Sequence, residues 1–133
     1  MKALQEIQTV LDRCLLPLGI LSGHIRRNNG DARAAGGAID KDAYATYRMA
    51  SSENRVYGNG KPLLRRVVFD VNYYYKNEDN NNAEAVAAAG VADGIEKAFK
   101  AAGWSVVGGL ADLYDSDTGF LGFNIEVAKT EGA

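Results

Sequence analysis

Apolar residues at Leu4, Ile7, Leu11, Cys14 and Leu18 fall three or four positions apart, with Gln5, Gln8, Asp12 and Arg13 between them. That spacing follows the turn of an α-helix and predicts an amphipathic helix over residues 3–17, those apolar side chains forming its buried stripe. Pro17 and Gly19 end it, since proline lacks the N–H and glycine takes the left-handed stop conformation. A short strand is expected over 20–25. The following stretch, RRNNGDARAAGGAID, has no apolar period, and a mobile loop is expected at about 26–42.

Strand patterns come next. AYATYRMA, residues 43–50, is short and aromatic. In 63–76, Val67, Phe69, Val71 and Tyr73 alternate with Val68, Asp70, Asn72 and Tyr74. The first set should face the core and the second solvent or a neighbour. A second helix is expected after NEDNNN: Asn81 and Glu84 have capping-box spacing, and Val91, Ile95, Phe99 and Ala102 mark a buried stripe. Lys97 and Lys100 suit the negative end of its dipole, and Gly103 its stop. Two strands, 104–114 and 121–128, are joined by the turn-forming DSDTG. The order helix, strands, helix, two strands predicts a single α+β domain over 1–133. Its two helices would pack on one face of a mostly antiparallel sheet.

Composition narrows the setting. The single cysteine, Cys14, lies among leucines and can complete neither a disulfide nor a zinc pattern. No apolar run reaches the roughly 18 residues of a membrane span. The polar residues of the first helix exclude a signal-peptide core, so a soluble, cytoplasmically made protein is expected. The net charge of −2 conceals an asymmetry: 11 Lys/Arg against 6 Asp/Glu through Arg66, then 4 against 11 from Val67 onward. Oppositely charged faces of this kind suit self-association.

RVYGNGKPL (55–63) has the glycines and lysine of a phosphate loop but not the spacing. One residue separates Gly58 from Gly60, proline follows Lys61, and a strand comes next rather than a helix. Asn-Gly before a strand reads instead as a tight turn between two strands. Asp112, Asp115 and Asp117, with Glu126 on the next strand, could in principle share a cation. The spacing lacks a calcium loop's alternation, and turn formation is the better reading. His24 stands alone, and no serine sits in a nucleophile motif. No catalytic, cofactor or metal residues are therefore expected, and the chain reads as a non-enzyme. Arg26, Arg27 and Arg33 cluster in the early loop, and Tyr73, Tyr74 and Tyr75 could offer stacking faces to nucleic acid. A pI near 5.4 weighs against a dedicated nucleic-acid binder.

Taken in order, the elements resemble the tail-terminator, or tail-completion and tail-to-head joining, proteins of long-tailed bacteriophages and prophages. The resemblance rests on the N-terminal helix, AYATYRM, the link SSENRVYGNGKPL, the strand RRVVFDVNYYYK, the helix ending KAFKAAGW and the closing LYDSDTGFLGFNIEV. It covers nearly all of residues 1–130. The chain departs from the pattern at Asp42-Ala43, where the family often has proline, at Phe120-Leu-Gly122, and in its longer loop from Arg26 to Asp40. The resemblance implies a virion structural protein of the tail, assembled in the host cytoplasm as a homo-oligomeric ring, commonly a hexamer. Its partners would be further copies of itself, the tail tube protein and a head-completion or connector protein. DNA would only pass through the channel, and no membrane or cofactor is involved. Arg26, Arg27, Arg33, Arg55, Tyr57, Lys61, Tyr74, Asp115 and Asp117 are the candidate interface or channel residues. The alternative is a free-standing α+β module that binds nucleic acid or a nucleotide through the basic 26–33 loop.

Overall fold

A computed structural model describes residues 1–26, 30–38 and 41–133. The described residues form helices α1 (Lys2–Leu15), α2 (Asp31–Ala34) and α3 (Asn82–Ala101). They also form strands β1 (Leu21–His24), β2 (Ala43–Gly58), β3 (Lys61–Tyr75), β4 (Ser105–Val106), β5 (Ala111–Tyr114) and β6 (Leu121–Gly132). The fold is α+β. One six-stranded sheet runs in the order β1-β2-β3-β6-β4, with β5 also paired to β6. Among the described residues only β1 and β2 run parallel; the other pairs are antiparallel. The expected strand over 104–114 is split into β4 and β5. Gly108, at φ 78°, lies in the break, in a conformation that carries the chain out of the extended region.

β2 and β3 form a long hairpin whose turn is Asn59-Gly60, both at positive φ. This left-handed pair matches the twist of the flanking strands, which is what Asn-Gly supplies. RVYGNGKPL is therefore the hairpin tip, as its spacing predicts.

Period two sets the inward face of β3 as expected, although Val68 of the other set is buried as well, at 6% exposure. Val67, Phe69, Val71 and Tyr73 are buried on the face covered by α1 and α3. α1 contributes Ala3, Ile7, Val10, Leu11 and Leu15, and α3 contributes Ala88, Ala92, Ile95 and Phe99. Trp104 meets Phe69 and Phe99 edge-on, at centroid distances of 6.0 and 5.3 Å. The Glu131 carboxylate of β6 accepts the Ala3 N–H at 2.8 Å. It thereby places negative charge at the positive end of α1.

Three local expectations are corrected. Leu18 leaves the buried stripe and is exposed, because Pro17 tightens the chain into a 3-10 turn, Leu16–Leu18, with a shorter angular period. Val10 and Leu15 are buried on α1 instead. The capping box at α3 is only half formed. Asn81 accepts from Ala83 N–H, but its own N–H goes to Asn77 Oδ1 at 2.7 Å rather than to Glu84. Finally, residues 30–38 of the expected loose loop are packed against the second face of the sheet, where Ala32, Ala35 and Ala38 are buried.

Candidate assembly surfaces

The second face of the sheet has two zones. In the first, Tyr44, Tyr74 and Gly122 form one row across β2, β3 and β6. A methyl group at Gly122 would lie 2.6 Å from the Tyr73 carbonyl oxygen and 3.0 Å from the Tyr74 ring. Glycine there lets Tyr74 lie against β6. Tyr44 stacks on Tyr74 at 5.0 Å and meets Phe120 at 5.4 Å. Both hydroxyls donate to carboxylates, Tyr74 to Asp31 and Tyr44 to Asp115, the latter at 2.7 Å. The cluster thus fastens two connections to the sheet, the 30–38 segment and the β5–β6 turn. Burial, then the adjacent carboxylates, pushes both hydroxyls well above the usual tyrosine range. Burial alone would raise the Asp115 carboxyl. Hydrogen bonds from Tyr44, Thr118 and the turn's N–H groups outweigh it and hold the group below its usual value.

The second zone is polar. Arg48, Asp70 and Glu126 form one row, and Thr46, Asn72 and Asn124 the next. Asn124 donates to Asn72 at 2.8 Å, and Arg48 lies 3.8 Å from Asp70.

These placements sort the candidate residues. Arg55, Tyr57 and Lys61 are exposed on the projecting hairpin, with Tyr57 61% and Leu63 53% accessible. Tyr74 is corrected: at 5% exposure it lies beneath the 30–38 segment and cannot be an interface side chain. Tyr73 and Tyr75 are buried too, so the three tyrosines offer no stacking platform. Asp115 is half-buried within the turn it organises, while Asp117 is exposed. Glu126 does not join them, because the antiparallel β6 carries it opposite Asp70. Arg26 and Arg33 line an open pocket of about 400 Å³ with Gln8, Ser22, His24 and Tyr47. Arg27 lies outside the described residues. His24 stacks on Tyr47 at 5.2 Å; burial, then the Arg26 charge, lowers its pKa below the usual histidine value.

At the opposite end of the strands from the hairpin tip is a cleft of about 520 Å³ between α3 and the sheet. Its rim carries Asp42, Glu78, Asp79 and Glu84 together with Lys76, and Tyr73, Ala87, Ala88 and Val91 line its interior. Local sequence motifs do not reveal this cleft, since Asp42 precedes β2 and the other acids follow β3. Hairpin closure brings them together, and the excess of acids after Val67 is the only signal in the sequence. Among the described residues, no group of three or more His, Cys, Asp or Glu could hold a metal ion, and no helix is long and apolar enough to cross a membrane.

No protein-family model and no curated protein matches the chain.

Proposed function

We propose that the chain is the repeating subunit of a homo-oligomeric ring at the head-proximal end of a bacteriophage tail. There it would terminate the tail tube or join it to the head. The observation that carries this reading is the polarity of the molecule. A sheet covered by helices on one face and partly polar on the other ends in an exposed, partly apolar basic hairpin at one pole and an acidic cleft at the other. A subunit with two different complementary ends associates heterologously, and heterologous contacts close into rings when the rotation between neighbours allows. The order of elements, which resembles the tail-terminator family, supports the same reading. Arg48, Asp70, Asn72, Asn124 and Glu126 offer a hydrated wall for a channel through which DNA passes without being read. A tail tube protein and a head-completion protein would be the axial partners.

Negative-stain microscopy of the purified protein, alone and mixed with tail tubes, tests the proposal. Annular particles, or tubes capped at one end, are expected. A protein that stays monomeric in both settings overturns it.

A second reading has its own observation. Arg26, Arg33 and His24 converge on one open pocket, a basic site that could take a phosphate of a nucleotide or nucleic acid. Fluorescence anisotropy with a labelled oligonucleotide separates the readings. Tight, salt-sensitive binding by a monomer would favour the second.

A further inference from the structure

The two poles described above are complementary in charge, and both carry apolar side chains. Arg55, Lys61, Arg65 and Arg66 of the hairpin stand against Glu53, which pairs with Arg55 at 3.1 Å, and Glu131 of β6, which pairs with Arg65 at 3.2 Å, a balance of +2. The cleft carries Asp42, Glu78, Asp79 and Glu84 against Lys76, a balance of −3. β3 spans 15 residues between them, so the poles of one subunit lie roughly 45 Å apart at about 3.3 Å per residue. The tip cannot fold back into its own cleft. It presents Tyr57 and Leu63, large apolar side chains that are more than half exposed.

We infer that the β2–β3 hairpin tip of one copy docks in the acidic cleft of the next. Tyr57 and Leu63 enter between α3 and the sheet, and Arg55 and Lys61 meet the carboxylates of Glu78, Asp79 and Glu84. The contact is head-to-tail, with aromatic and aliphatic anchors at the centre and charge pairs at the rim. It deepens the ring reading by naming the interface, and it rests on that reading only in requiring self-association.

Charge reversal tests the contact on side chains that are all exposed. One variant carries Arg55→Glu and Lys61→Glu; the other carries Glu78→Lys and Asp79→Lys. Each alone has like-charged poles, and its self-association should weaken by about tenfold per reversed charge. Each variant's tip, however, matches the other's cleft. An equimolar mixture should therefore reassemble, with equal numbers of the two chains in every particle by native mass spectrometry. Circular dichroism checks that both variants are folded.

If the single variants assemble as the wild type does, this contact is wrong, and a ring built on another surface survives. Folded variants that stay apart when mixed also overturn the contact, leaving the cleft to some other cationic occupant. A wild type that never associates overturns the contact and the ring reading together.

Discussion

Gly23 of β1 is the position where one methyl group should do the most damage. A Cβ built there would lie 1.6 Å from the Ala34 carbonyl oxygen and 2.5 Å from its carbon. The obstacle is backbone, so no rotamer change relieves it. In Gly23→Ala, the 30–38 segment must leave the sheet or β1 must shift. Releasing the segment re-exposes the methyls of Ala32, Ala35 and Ala38, about 2.4 kcal/mol at ~0.8 each. It also loses the Tyr74–Asp31 hydrogen bond, about 2 kcal/mol for a bond to a charged group. The freed segment regains conformational entropy, so a net loss of roughly 2–4 kcal/mol is expected. Gly94→Ala is the control. Gly94 lies within α3, and nothing stands within 4 Å of an added methyl. Better helix propensity should stabilise that variant by about 0.5–1 kcal/mol. Urea unfolding reads both, and hydrogen exchange should show lost protection at 30–38 only in Gly23→Ala. A Gly23→Ala protein within 1 kcal/mol of wild type, with that segment still protected, would refute the packing of 30–38 on β1.

Other consequences concern acid behaviour. Because the Asp115 pKa lies below its usual 3.8 when folded, its contribution to stability is present above that value and is lost as pH falls through the folded pKa. Tyr44→Phe removes a donor, so the acid-induced loss should begin at higher pH and stability at neutral pH should drop by about 1 kcal/mol. Acid titration by circular dichroism, wild type against variant, reads the shift; coincident curves would contradict it. His24 is the only histidine, so its imidazole resonance is unambiguous by NMR and should titrate below 6.5. Its contribution to stability is present above 6.5 and fades as pH falls through the folded value. In Arg26→Ala its pKa should rise without fully reaching 6.5, since burial is the larger cause.

Much of the architecture was legible because one face of each main element carries its period. β3 sends Val67, Phe69, Val71 and Tyr73 to the helix-covered face at period two, α3 is bounded by Asn81 and Gly103, and Asn59-Gly60 marks the hairpin. What the sequence hid depends on the second face of the sheet. Tyr74 looks like an outward residue by alternation, and nothing local to β3 says that residues 30–38 will cover it. That segment packs through alanines three positions apart, Ala32, Ala35 and Ala38, whose small apolar area leaves a faint periodic signal. Gly23 and Gly122 are legible as glycines, but the backbone and ring that crowd them come from distant residues. The surfaces proposed for assembly divide likewise. Arg55, Tyr57 and Lys61 flank one turn and lie in one contiguous stretch of the sequence. The acidic cleft is assembled from Asp42 before β2, residues after β3 and the first turns of α3, so only the folded hairpin reveals it.

Head-to-tail self-association is the claim on which the rest depends. Sedimentation velocity of the wild-type protein across a range of concentrations, at low and at high salt, tests it most directly. Charge pairs exposed at an interface rim are screened beyond about 10 Å at 0.1 M salt. The account therefore predicts a closed oligomer of several copies at low salt that weakens as salt rises. A monomer at every concentration and salt would contradict it, and assembly indifferent to salt would remove its electrostatic part.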